Sequence, residues 1–80
     1  MLHDAYDASG LGRGIKQLRT DRGLTQEQLA AWLGVSRQTV VSLERGGPVS
    51  VTVAMRALAM LGGKVVVAPK DAIVVETKGL

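Results

Sequence analysis

Cysteine is absent from this 80-residue chain, so neither a disulfide framework nor a thiolate metal site is available to it. Histidine is almost as scarce. His3 is the sole one and sits near the N-terminus, which leaves no material for a catalytic dyad or a histidine metal cluster. The seven carboxylates, Asp4, Asp7, Asp21, Glu27, Glu44, Asp71 and Glu76, are scattered without the close pairing that acid–base work requires. Enzyme chemistry, a metal and a cofactor are therefore not expected. A membrane-spanning run is missing too: the longest apolar stretch, Val49 to Leu61, is too short to cross a bilayer and is interrupted by Arg56. Residues 1–10 contain His3, Asp4 and Asp7 without the apolar core of a signal peptide. A soluble, cytoplasmic protein is expected.

What the chain does have is positive charge. A formal charge of +3 and a sequence pI near 9.8 suit a polyanionic partner, and 80 residues make one small domain with a core that is only marginally sufficient alone. Arg13, Lys16, Arg19 and Arg22 recur at spacings of three, making one charged helix side; an ordinary solvated face reads the same way, and Arg19 above all is a candidate for a structural role.

The most informative stretch runs from Gly23 to Gly46, G-L-T-Q-E-Q-L-A-A-W-L-G-V-S-R-Q-T-V-V-S-L-E-R-G. Thr25 followed by Gln28 is a capping box, which satisfies backbone donors otherwise orphaned at a helix start. Leu29 and Leu33 then form an apolar stripe, and Gly34 stops the helix. Ser36 caps the next helix almost at once, so the connector is short enough to fix how the two helices cross. At about 100° per residue, Arg37, Gln38, Val41, Ser42 and Arg45 of this second helix share an arc of roughly 140°, while Val40 and Leu43 point into a core. Arg and Gln are the side chains that pair in two-pronged fashion with guanine and adenine edges, and Val41 suits a thymine methyl. A solvated helix face is the plain alternative; two capped helices joined by a glycine turn favour a helix-turn-helix that enters the major groove of DNA.

From Leu18 to Gly46 the chain resembles the Cro/lambda-repressor-like (Xre-type) helix-turn-helix family, whose signature reads much like L-R-x-x-R-G-L-T-Q-x-x-L-A-x-x-L-G-V-S-R-x-T-V-x-x-L-E-R-G. The resemblance implies a mainly α fold, a four- to five-helix domain in which the helix opened by Ser36 is the recognition helix. It places Arg37, Gln38, Val41 and Ser42 at base edges and Gln26 and Thr39 on phosphates, with Thr25, Ser36 and Arg45 as further phosphate contacts. It also implies a structural ion pair between Arg19 and Glu44. Double-stranded DNA becomes the expected partner, and the nucleoid the expected place of work.

Around this motif three segments are expected: a flexible N-terminal lead at 1–8, the helix-turn-helix domain at 9–62, and a C-terminal strand or hairpin with a tail at 63–80. Ser9 is a cap for a first helix reaching about Asp21, with Leu11, Ile15 and Leu18 on one side. Gly10, Gly12 and Gly14 weaken its opening turn, each by about 1 kcal/mol relative to alanine, so a frayed onset is expected. No strand is read before them and the full dinucleotide-binding fingerprint is missing, so a phosphate-binding glycine loop is not expected. After Gly46, Gly47 and Pro48, a fourth helix capped by Ser50 carries apolar residues on all sides apart from Thr52 and Arg56. Such a helix wants burial on more than one face, and a homodimer partner touching Met55 and Met60 is the economical cover.

Beyond Gly63 the pattern turns extended. Lys64–Ala68 and Ala72–Glu76, separated by Pro69, Lys70 and Asp71, read as two short strands with a turn, or as one strand and a tail that orders on binding. An isolated ribbon is marginal in water and exposes open edges. Pairing of Val65, Val66 and Val67 with the same segment of a second subunit would relieve both problems. A strand after the fourth helix is similar to HipB-type antitoxins, and that resemblance implies a dimer which represses its own operon at a palindromic operator and holds a toxin, often a HipA-like kinase; a stand-alone Xre-family regulator without a toxin partner is the alternative. Trp32 stands where that family commonly has a polar residue. It reads either as packed near Tyr6 or as a contact for a partner protein.

Overall fold

The computed structural model describes residues 2–5, 8–67 and 73–77, with side chains described from Ser9 to Lys64. In chain order the elements are β1 (Leu2–Ala5), α1 (Ala8–Asp21), α2 (Gln26–Leu33), α3 (Arg37–Arg45), α4 (Val51–Met60), β2 (Gly63–Val67) and β3 (Ile73–Thr77). Local chemistry sets the helix starts. Thr25 Oγ1 accepts from the Gln28 amide at 3.0 Å while Gln28 Oε1 accepts from the Thr25 amide at 2.8 Å, so the expected capping box is complete. Ser36 accepts from the Thr39 amide and Ser50 from the Val53 amide, each at 3.1 Å. Gly34 ends α2 at φ +70°, a left-handed conformation that a residue with a Cβ rarely adopts, and the chain turns there straight into α3.

Packing is organised around one core. Ile15 and Leu18 of α1, Leu29, Ala30 and Leu33 of α2, Val40 and Leu43 of α3, and Ala54, Ala57, Leu58 and Leu61 in and after α4 form a single buried cluster. Both α1 and α2 pack on α3. Four helices are present among the described residues, within the four to five expected.

The opening of α1 departs from expectation. The helix begins at Ala8 and continues without a break through Gly10, Gly12 and Gly14. The reason is tertiary: a Cβ built on Gly12 would collide with the Leu43 carbonyl oxygen and lie 2.6 Å from the Glu44 carbonyl oxygen, so α1 touches the backbone of α3 there. Propensity lost in α1 is offset by close helix–helix approach.

The lead is also corrected. Instead of a flexible segment, Leu2–Ala5 is a strand, paired antiparallel with β3 from Leu2 opposite Glu76 to Ala5 opposite Ile73. On its other side β3 pairs antiparallel with β2, from Gly63 opposite Thr77 to Val67 opposite Ile73. The sheet order is β1-β3-β2, with β2 and β3 as antiparallel neighbours. Both edges of β3 are satisfied within one chain, and the outer edges belong to β1 and β2. The turn expected at Pro69–Asp71 lies outside the described residues, as does Tyr6.

Helix α4 buries Ala54, Ala57 and Leu58 and leaves apolar side chains uncovered on more than one side, with Val51 76%, Met55 48% and Met60 41% exposed. Trp32 on α2 is 51% exposed, so half of its indole surface faces solvent. No helix among the described residues is long and apolar enough to cross a membrane.

Candidate nucleic-acid interface

Of the sequence-derived DNA-contacting residues, Thr25 and Gln26 lie at the start of α2, Ser36, Arg37, Gln38 and Thr39 at the start of α3, and Val41, Ser42 and Arg45 further along α3. Arg37 and Gln38 open α3 and are exposed; Val41 and Ser42, one turn on, are half-buried; Arg45 is exposed in the last turn. A concavity of about 370 Å³ is lined by Arg37, Gln38, Val41, Glu44 and Arg45 of α3, Gln26 of α2 and Lys16 of α1. Four of the five residues of the sequence-derived arc thus meet on one surface. Ser42 stands apart at its edge: a Cβ on Gly47 would lie 2.5 Å from the Ser42 hydroxyl, so this side chain faces the chain leaving α3.

Beneath the concavity runs a chain of polar contacts that locks three helices together. Arg19 Nε donates to Glu44 Oε2 at 2.6 Å and Arg19 Nη2 to Glu44 Oε1 at 3.0 Å, a two-pronged pair whose side chains are 9% and 3% exposed. Arg19 Nη1 donates to the Leu24 carbonyl at 2.7 Å, fixing the loop into α2. Glu44 Oε1 also accepts from Gln26 Nε2 at 3.1 Å, and Gln26 Oε1 accepts from Arg37 Nη2 at 3.1 Å. Arg37 Nε reaches Glu27 Oε1 at 2.7 Å. The contacts therefore pass from the interior, Arg19 and Glu44, through Gln26 to the exposed guanidinium of Arg37. Such charge-assisted, two-pronged bonds are directional, so they orient as well as stabilise.

Of the hydroxyls expected to meet phosphates, Thr25 and Ser36 already serve as caps. Thr25 is exposed, Thr39 is half-buried, and Ser36 Oγ lies 3.0 Å from Thr39 Oγ1. The Thr25 oxygen accepts from a backbone amide and keeps its own proton as a donor, so capping and phosphate contact are compatible there, whereas Ser36 and Thr39 share one hydrogen bond and keep one hydroxyl proton between them for a phosphate.

Two residues of this surface were not singled out by sequence reasoning. Lys16 was one member of a charged helix side, but the fold separates that row: Arg19 turns inward, Arg22 passes the helix end to donate to the Leu18 carbonyl at 3.3 Å, and Lys16 lines the concavity beside α3. The signal was present, since Lys16 lies about one turn before Arg19 and an Arg19–Glu44 pair brings that part of α1 to α3. Glu27 was read merely as a scattered carboxylate. Its partner Arg37 becomes apparent once the short Gly34–Ser36 connector sets the two helix starts side by side.

A two-helix unit with a tight glycine turn, whose second helix carries an open rim of Arg, Gln and Val, defines a helix-turn-helix protein. The helix-turn-helix family model matches residues 15–66, and the chain belongs to that family. It is 53% identical over 32 residues to an uncharacterised HTH-type transcriptional regulator of Methanothermobacter thermautotrophicus and, to the same extent, to another from Methanocaldococcus jannaschii. Each match covers 40% of this chain and 46% or 48% of the relative, so the chain spans about half the length of the curated relatives it matches. Among solved structures, the restriction-modification controller protein C.AhdI from Aeromonas hydrophila is similar, with a TM-score of 0.56 and 37% identity over 64% of this chain and 77% of that one.

Proposed function

We propose that this chain is a sequence-specific DNA-binding transcriptional repressor that acts as a homodimer on a palindromic operator. The observation that carries this reading is the open rim of Arg37, Gln38 and Val41 at the head of α3, flanked by Gln26, Lys16 and Arg45. Net charge of +3 supports a polyanionic partner, and the regulator and controller relatives support a transcriptional role. One recognition helix spans only about four or five base pairs; two helices placed about one helical turn apart multiply selectivity and double the phosphate contacts. The uncovered Met55 and Met60 and the outer edge of β2, which carries Val65, Val66 and Val67, support the second subunit.

Selection of bound sequences from a random duplex pool tests the reading. The expected product is a two-fold symmetric motif; a pool that shows no enrichment would overturn it. Arg37→Ala or Gln38→Ala should each weaken cognate binding by about 1–3 kcal/mol and relax preference at particular bases. A Gln38→Ala protein with unchanged affinity and preference contradicts the assignment. Lys16→Ala should instead weaken all duplexes evenly and lower the slope of log affinity against log salt by about one, measured by titration across salt concentrations.

The C-terminal sheet is the observation behind a second reading, an antitoxin of HipB type that also holds a toxin such as a HipA-like kinase. Because β3 is already paired on both sides within the chain, this reading ranks behind a stand-alone regulator. A neighbouring toxin-like reading frame whose product co-purifies with this chain would reverse that order.

A further inference from the structure

Arg37 is tethered along one edge of its guanidinium. Nε meets Glu27 Oε1 at 2.7 Å and Nη2 donates to Gln26 Oε1 at 3.1 Å, both acceptors belonging to the first turn of α2. A guanidinium holds five N–H groups in one rigid plane. Two are used by α2, which leaves both Nη1 protons and the second Nη2 proton. Those at the tip are the pair that matches O6 and N7 of guanine. The Arg37 side chain is 57% exposed and lines the concavity, so the tip is accessible.

Glu27 is in an unusual place for a carboxylate, because it is 67% exposed beside a surface that has to approach phosphates. An anion there opposes a polyanion. It suits the dipole at the start of α2, but that benefit does not require contact with Arg37. Nor does the pair add much to folding, since exposed ion pairs are screened and entropically costly. What the contact does achieve is restriction of a long, flexible side chain that would otherwise be free to swing onto the nearest phosphate, where it carries no base information.

We infer that Glu27 is a positioning residue for sequence discrimination: it holds Arg37 by its side edge so that the tip reads guanine and is kept off the phosphate backbone. The inference rests on the DNA-reading function proposed above. Pre-ordering of this kind lowers the entropy lost on binding the correct base, and the repulsion from Glu27 penalises looser, sequence-independent encounters.

The test compares wild type, Glu27→Ala, Glu27→Gln, Arg37→Ala and the Glu27→Ala/Arg37→Ala double variant by random-pool selection and by titration of cognate and scrambled duplexes. Wild type should enrich guanine at one position of each half-site, and Arg37→Ala should abolish that preference. Glu27→Ala should reduce guanine preference at the same position by about five- to tenfold, with preferences elsewhere kept. It should also bind the scrambled duplex about two- to fivefold more tightly at low salt, with a steeper salt dependence. Glu27→Gln keeps an acceptor for Nε and should retain most of the preference; in the Arg37→Ala background, Glu27→Ala should change no base preference. Unaltered guanine enrichment in Glu27→Ala, with wild type selective, overturns the inference. A wild type that enriches no sequence overturns the DNA-reading proposal and this one with it.

Discussion

Replacing Arg19 by Met or Glu44 by Gln is expected to cost roughly 3–5 kcal/mol of folding stability, the usual consequence of leaving one charge of a buried pair without its partner. Each side chain is nearly sealed, and both Glu44 oxygens are engaged by Arg19. The loss is large against what the domain has. A chain of this size is stable by about 0.05–0.15 kcal/mol per residue, and each kcal/mol shifts the thermal midpoint of such a domain by about 4–8 °C. Thermal melts followed by circular dichroism should therefore show the single variants largely unfolded at temperatures where the parent is folded. Single variants within about 1 kcal/mol of the parent would contradict the burial argument. The double variant Arg19→Met/Glu44→Leu separates stability from function. Apolar side chains can replace a buried ion pair with little net loss, so its midpoint should recover most of the way. Its base discrimination should not, because Gln26 loses its acceptor on Glu44, the Leu24 carbonyl loses Arg19, and the support behind Arg37 goes with them.

Gly12→Ala is a test of sign. Helix propensity alone says that alanine in place of glycine within α1 stabilises by about 1 kcal/mol. The packing says the reverse: the new methyl would be driven into the carbonyl oxygens of Leu43 and Glu44, which are backbone atoms of α3 and have no rotamer to change. Overpacking of this kind costs about 1–3 kcal/mol, and the helices must separate to relieve it. Since α3 is the proposed recognition helix and Glu44 anchors the polar chain to Arg37, cognate DNA affinity should fall along with the melting midpoint. Chemical denaturation with a two-state fit decides the matter; a Gly12→Ala protein more stable than the parent would show that α1 and α3 do not approach as closely as described.

Much of the candidate interface was legible in the sequence. The capping box of Thr25 and Gln28, the caps Ser36 and Ser50, the stop at Gly34 and the buried face of Val40 and Leu43 all lie where the residues indicate. The Arg19–Glu44 pair came from the family signature and is present at hydrogen-bonding distance. Less was legible in the terminal segments. The β-branched runs after Gly63 announce strands, yet an alternating pattern does not say which strand lies alongside. Leu2–Ala5 contains no β-branched residue at all, and its strand conformation follows from the open edge of β3 that it covers.

By itself the sequence determined the helix-turn-helix: caps, stops and stripes depend on atoms three or four residues apart, and so are written in consecutive letters. The tertiary structure alone decided that Gly12 is a contact and not a weakness, that Lys16 belongs to the concavity, that Glu27 holds Arg37, and that the first strand closes the last. Each of these joins residues distant along the chain, and their meeting is set by the shape of the whole core, which no local pattern encodes.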